Sequence, residues 1–170
     1  MAKDNHKLTT KRRRIFRYGL LVVWLTLIFI GSSDLLSGSH TGSFLLGPLR
    51  WLFPRASDQT LGLIHLLIRK AGHLTEYAIL AVLAARAFRI SSRAWLRQGW
   101  FWAAWIFAAV YSLTDEFHQS FVPSRGASLH DSLIDSIGAF IGLVIFWWWG
   151  QRTNRKKTPP PRTAKATAEA

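Results

Sequence analysis

The sequence predicts an all-α membrane protein, built as a four-helix transmembrane bundle with an outward-facing polar cluster. Four apolar stretches lie within its 170 residues, and their uncharged cores of about 14–18 residues approach the roughly 20 needed to cross a bilayer. The formal net charge of +13 is concentrated in the two tails. Because four apolar helices leave too little polar surface to cover them, a water-soluble helical domain is disfavoured.

Composition divides the chain into three regions. Residues 1–14 are a basic cytoplasmic tail, residues 15–150 the four-pass membrane domain, and residues 151–170 a disordered, basic and Pro-rich cytoplasmic tail. Both tails are expected to be unstructured. The chain contains no cysteine, which excludes disulfides, thiolate metal sites and cysteine nucleophiles. No nucleic-acid-binding motif accompanies the basic charge, so no nucleic-acid partner is predicted.

The four apolar stretches follow one another along the chain. The first, Tyr18–Ser33, carries no charge, whereas the second, from about Leu61 to Phe88, is charged in its first half. The third spans Trp100–Leu113 and the fourth Leu133–Trp149. Tryptophans near the start of the third stretch and at the end of the fourth are typical of the belts that anchor helices at a membrane interface.

Basic residues predict the orientation. They are concentrated in the N-terminal tail, in the link between the second and third stretches, and in the C-terminal tail. These three regions lie on one side of a four-pass chain, and the positive-inside rule makes that side cytoplasmic. Residues 1–33 also have the plan of a cleavable signal peptide, although no A-x-A-like cleavage site is present. Cleavage would leave three spans in the same orientation.

A polar stripe interrupts the second stretch. On a helix, Arg69, His73 and Glu76 lie at i, i+4 and i+7, while Lys70, His73 and Tyr77 lie at i, i+3 and i+7. Charged side chains inside a membrane are costly in free energy, so we interpret this stripe as a functional candidate.

Two more polar groups lie around the loop between the third and fourth stretches, which contains Arg125. The first group comprises side chains that follow the third stretch: Asp115, Glu116, His118 and Gln119. The second opens the fourth stretch, where Asp131 and Asp135 lie at i, i+4. Beyond them, Gly138 and Gly142 form a small-x-x-x-small pattern that allows another helix to approach closely.

The predicted orientation places all three polar groups at the outer side, where they can converge on one pocket. For ligand binding we assign Lys70, His73, Glu76, Tyr77, Gln119, Arg125, Asp131 and Asp135; for acid/base catalysis, Asp115, Glu116 and His118. No cofactor and no metal is predicted. Carboxylate and imidazole ligands for a divalent metal are available at Glu76, His73, Asp131 and Asp135, but a tight signature such as H-E-x-x-H is absent. In the alternative interpretation, these groups only pair with one another to hold the helices together.

The same residues resemble the VanZ-like family of small bacterial membrane proteins. The resemblance rests on SSD at 32–34, RKAGHLTEYAIL at 69–80 and TDEFHQSFVPSRGASLHDSLIDSIGAFIG at 114–142. It implies a multi-pass helical protein of the bacterial inner membrane, with the polar positions of the family at the site residues given above. Ser124 and Ser136 stand where many relatives are expected to have Gly and Asn. The family is named for a protein associated with low-level teicoplanin resistance.

Three classes of function remain open on the sequence. The first is a membrane protein that binds an amphiphile, such as an envelope lipid or a glycopeptide, and is linked to antibiotic resistance. The second is an enzyme acting by acid/base chemistry on a lipid-linked envelope substrate. The third, transport, ranks last because the inner halves of the second and fourth stretches are apolar. Membrane lipids are predicted partners, and the Gly138/Gly142 face allows a homo-oligomer.

Overall fold

Four long helices form most of the part of the protein that the structure describes. The computed structural model describes residues 2–33, 46–122 and 128–155. We label the long helices α1 (Ala2–Ser32), α2 (Asp58–Phe88), α3 (Trp100–Gln119) and α4 (Leu129–Arg155). Residues 46–52 and Ala94–Gln98 are short helices between them, and these described ranges contain no strand. The all-α prediction is therefore confirmed for the described chain.

The helices extend beyond the apolar stretches from which they were predicted. Helix α1 begins at Ala2, so residues 2–14 are helical instead of unstructured, as favoured by a run of Lys and Arg that continues into an apolar helix. Helix α4 continues to Arg155, which corrects the predicted start of disorder at residue 151. Residues 156–170 of the predicted tail lie outside the described residues.

Consecutive helices run in opposite directions. Trp24 Nε1 donates to the Glu76 carbonyl at 3.1 Å, and Arg17 donates to the Arg86 carbonyl at 3.0 Å. Helices α1 and α2 are therefore antiparallel. Helix α3 runs parallel to α1, since the Tyr111 hydroxyl donates to the Leu25 carbonyl at 2.8 Å and Gln119 lies beside Ser32.

Helix α2 lies at the centre and packs most extensively on α4, and further on α3 and α1. A Cβ atom on Gly138 would overlap the Leu74 carbonyl oxygen, and one on Gly142 would lie 2.8 Å from that of Ala78. The two glycines therefore let α2 and α4 meet backbone to backbone, in parallel. The Gly138/Gly142 face that was predicted from the sequence is therefore covered by α2 of the same chain.

Two of the described helices are long and apolar enough to span a membrane, at Leu8–Ser32 and Leu129–Thr153. Helices α2 and α3 do not meet the same criteria of hydropathy and charge, since both carry charged residues of the polar groups described above. All four helices nevertheless expose large apolar side chains at the surface: Val22, Leu67, Ile106 and Ile145 are each more than half exposed. Crossings by α2 and α3 stay a prediction.

Arginines gather at one end of the bundle. The Arg89 guanidinium lies 5.2 Å from the centre of the Trp100 ring and 5.7 Å from that of Phe146. Arg17 reaches the carbonyl of Arg86 at the same level. We call Arg17, Arg86 and Arg89 the basic end. Arginines of two basic regions of the sequence thus meet at one end, beside Phe146 of α4, as alternating helix directions require.

Candidate functional site

Polar side chains from α2, α3 and α4 meet in one region, which we call the polar cluster. Its members are Lys70, His73, Tyr77, Ser112, Asp115, Glu116, Gln119, Asp131, Ser132 and Asp135. Most of these side chains are buried. Lys70 precedes Arg86 by 86 − 70 = 16 residues on the same helix, which at about 1.5 Å per residue separates the cluster from the basic end by roughly 24 Å.

Asp131 receives two cations from α2. Its carboxylate is ion-paired with Lys70, and its Oδ2 atom lies 3.7 Å from a guanidinium nitrogen of Arg69. Asp131 also stands in the first turn of α4, where a negative charge is stabilised by the helix dipole. Lys70 is thus already engaged by a carboxylate, and an anionic ligand would have to compete with Asp131 for it.

Asp135 is the most buried carboxylate of the cluster, with its side chain 1% exposed. Ser112 donates to its Oδ2 atom at 2.9 Å, and the Ser112 and Ser132 hydroxyl oxygens are 3.0 Å apart. The other carboxylate oxygen lies 3.7 Å from His73 Nδ1. A buried carboxylate requires such partners, because it has lost its hydration. Asp135 therefore links α2 to α3 through His73 and Ser112.

Asp115 lies on the side of the cluster that faces α1. Gln119 Nε2 donates to Asp115 Oδ2 at 2.9 Å and reaches Ser32 Oγ on α1 at 3.4 Å. Tyr77 of α2 is fully buried. Asp115 and Gln119 thus connect the cluster to the end of α1.

Glu116 is held by the start of α4. Its Oε2 atom accepts the Ser128 N–H at 2.7 Å, immediately before Leu129 begins the helix. The first N–H groups of a helix lack intrahelical acceptors, so Glu116 satisfies a donor that α4 itself leaves unpaired. This contact gives Glu116 a defined structural role.

His118 contacts α1, and its Nδ1 atom is not hydrogen-bonded to the carboxylates with which it was expected to act. Its ring packs on Phe29 of α1 with centroids 4.5 Å apart and a tilt of 31°. The buried His118 Nδ1 atom has no hydrogen-bond partner among the described residues. Asp115 accepts a hydrogen bond from Gln119, and Glu116 accepts one from the Ser128 N–H. Neither predicted catalytic carboxylate is therefore paired with His118 Nδ1.

Glu76 borders a crevice between α1 and α2. The crevice has a volume of about 490 Å³, and its walls are formed by Trp24, Ala71, Gly72, Thr75, Glu76 and Ile79. Glu76 is half-buried there, one helical turn from His73. The arrangement places an acidic residue of the predicted stripe beside a mostly apolar, open space.

Arg125 and Ser124, which the sequence singled out, lie outside the described residues. Ser112 and Ser132 were not selected from the sequence, although helical spacing could have found them: Ser112 is at i−3 from Asp115, and Ser132 is at i−3 from Asp135. Across the described ranges, no three acidic or imidazole side chains are grouped so that they could hold a metal ion.

Comparison with known proteins identifies one related family. The VanZ/LLP1 family model matches residues 16–150. The matched range includes the whole polar cluster, both contact glycines and most of the four long helices. No curated protein and no solved structure matches the chain.

Proposed function

The chain belongs to the VanZ/LLP1 family, and we propose that it is a four-pass protein of the bacterial inner membrane that binds an amphiphilic envelope ligand at its polar cluster. In this proposal both termini and the basic end are cytoplasmic, and the polar cluster lies near the outer surface. The ligand is an envelope lipid with a polar head group or a glycopeptide of the teicoplanin type.

Four crossings are supported by the surface of the bundle. Large apolar side chains are exposed on α2 and α3 as well as on α1 and α4, including Leu63 on α2 and Val110 on α3. Water-soluble monomers rarely expose contiguous apolar surface on this scale. Arginines of the N-terminal region and of the link after α2 also lie together at the basic end, as the positive-inside rule requires of regions separated by two crossings.

The observation that carries the binding proposal is the position of Glu76. This acidic residue borders the crevice between α1 and α2, whose other walls are largely apolar and include Trp24 and Ile79. An acyl or aryl group fits such walls, while hydroxyl or amine donors of a head group can bind the carboxylate. The site therefore suits a ligand that is itself part apolar and part polar.

Carboxylates also outnumber the cations of the cluster. Among the described side chains of this region, the acids are Glu76, Asp115, Glu116, Asp131 and Asp135, and the fixed cations are Arg69 and Lys70. Tethering three helices requires fewer acids than this. The excess favours a head group that donates hydrogen bonds or carries positive charge.

Binding can be tested with purified protein in detergent micelles. Teicoplanin and a monoglycosyl diacylglycerol are the two probes, titrated by microscale thermophoresis. We expect saturable binding of at least one probe, weakened about tenfold by Glu76→Gln, since a hydrogen bond to a charged group contributes about 1.5–3 kcal/mol. Asp58→Asn is the matched control, because Asp58 is an exposed acid on the same helix.

Two outcomes would contradict the proposal. One is the absence of saturable binding for both probes to the folded wild-type protein. The other is equal affinity of the Glu76→Gln and Asp58→Asn variants. If teicoplanin binds, a deletion strain should be more sensitive to it than the complemented strain. Equal sensitivity of the two strains would show that the protein binds teicoplanin without conferring resistance to it.

An enzyme remains the second candidate because of one contact. His73 Nδ1 lies 3.7 Å from Asp135 Oδ1, and a carboxylate beside an imidazole is an arrangement used for general acid/base catalysis. Lipid profiles of a deletion strain complemented with wild type, His73→Gln or His118→Ala test this. Catalysis predicts that His73→Gln resembles the deletion strain, whereas identical profiles in all strains argue against any reaction.

A further inference from the structure

A second concave surface lies between α2 and α4, on the side of the bundle towards the basic end. It is a groove of about 630 Å³ with Ile79, Val82 and Leu83 of α2 on one wall. Ile145, Phe146 and Trp149 of α4 form the other wall. The groove begins near Thr75 and ends beside Arg86, 86 − 75 = 11 residues along α2, or roughly 16 Å at the rise of an α-helix.

The groove exists because small residues separate its walls. Gly142 brings α4 against Ala78, so the floor of the groove is helix backbone. At Gly150, nearer the basic end, a Cβ atom would meet nothing within 4 Å. The space above Gly150 is therefore open, and it is bordered by apolar side chains that a hydrocarbon chain can contact.

The charge at the end of the groove is positive and unneutralised. Arg86 is exposed in the last turn of α2, and no acidic side chain that the structure describes is paired with it. Arg17 donates to the Arg86 carbonyl at 3.0 Å. Arg17 and Arg86 thus lie together at the end of the groove, and the described residues supply no ion-pair partner for either.

We propose that this groove is a binding site for an anionic phospholipid, separate from the polar cluster. One acyl chain lies between α2 and α4, and the phosphate contacts Arg86 at the basic end. The length and apolar walls of the groove suit a hydrocarbon chain. Guanidinium groups bind phosphate through paired N–H donors. A zwitterionic head group carries an ammonium group that offsets its phosphate, so the unneutralised positive charge at the end of the groove favours an anionic head group. The inference relies on the membrane location proposed above but not on the function of the polar cluster.

Native mass spectrometry of the full chain in detergent tests the proposal, with phosphatidylglycerol and phosphatidylcholine of equal chain length as probes. We expect phosphatidylglycerol to bind about fivefold more tightly, the ratio that corresponds to about 1 kcal/mol for one basic residue at a lipid surface. Arg86→Gln should abolish this preference. Arg93→Gln, which removes an exposed arginine away from the groove, should preserve it.

A second pair of variants tests the hydrocarbon part of the site. Gly150→Phe fills the open groove and should reduce binding of both lipids at least fivefold. Gly19→Phe is its control, because Gly19 is also a helical glycine with open space around its Cβ position but lies on α1. Equal affinity for the two lipids in the wild type, or unchanged binding in Arg86→Gln or Gly150→Phe, would overturn the proposal.

Discussion

Lys70 on α2 is ion-paired with Asp131 on α4. One helical turn further along α2, Leu74 lies against the backbone of Gly138 on α4. The ion pair and the glycine contact therefore set the same register between two parallel helices. Because the register is set at both points, His73 and Asp135 also face each other. The close approach of two backbones is what assembles the polar cluster.

The Lys70–Asp131 pair should be more strongly coupled than the surface pair Arg50–Asp58. The side chains of the first pair are 29% and 10% exposed, against 65% and 86% for the second. In a double-mutant cycle with Lys70→Met and Asp131→Asn, we expect a coupling free energy of about 2 kcal/mol. The equivalent cycle for the surface pair should give less than about 1 kcal/mol. Unfolding by SDS in mixed micelles measures both, and equal values would contradict the difference in burial.

Gly138→Ala should destabilise the protein by about 1–3 kcal/mol, because its methyl group would collide with the backbone of α2 at Leu74. Gly62→Ala is the control on α2, since no atom lies within 4 Å of its Cβ position. That substitution should be neutral or stabilise by up to about 1 kcal/mol, as alanine favours helix. Thermal unfolding in detergent would show the two variants shifting in opposite directions. A stable Gly138→Ala variant would mean that the helices do not touch there.

Ser112→Ala should remove the hydrogen bond to Asp135 Oδ2 and leave that buried oxygen unsatisfied. We expect a loss of about 1–3 kcal/mol in the free energy of unfolding. Ser120→Ala, at an exposed serine just after α3, should change stability by less than about 0.5 kcal/mol. Similar stabilities of the two variants would show that Asp135 does not depend on Ser112.

Glu116→Ala should loosen the start of α4 without disturbing the rest of the cluster. Its carboxylate accepts the Ser128 N–H, and no other acceptor is present for that donor in the described chain. Hydrogen exchange measured by mass spectrometry should become faster in peptides covering residues 128–132. Exchange around Asp115 and Gln119 should stay as in wild type. Unchanged exchange at the start of α4 would exclude the capping role.

Much of this architecture could be predicted from local pattern. Each apolar stretch lies in a helix, and the spacing of Lys70, His73 and Tyr77 correctly indicated a single face of α2. The ends of α1 and α4 could not be predicted, because a basic sequence is compatible with both helix and disorder. Composition also did not distinguish a helical N-terminal tail from an unstructured one.

The partners within the cluster required the tertiary register. Spacing placed Asp131 and Asp135 on one face of α4, but which of them meets Lys70 depends on the Gly138–Leu74 contact. His118 shares a helical face with Asp115, yet it packs on Phe29 because α1 lies on that side. Sequence spacing shows which residues share a face, whereas the neighbouring helix determines what that face contacts.

The orientation of the polar cluster is tested most directly by labelling single cysteines, which the absence of native cysteine makes possible. Gln59→Cys and Ser120→Cys lie at the end of the bundle near the cluster, and Ser92→Cys lies beyond the basic end; all three positions are exposed. In intact spheroplasts, a membrane-impermeant maleimide should label the first two and react with Ser92→Cys only after lysis. Labelling of Ser92→Cys before lysis, with protection of Ser120→Cys, would contradict an outward-facing cluster.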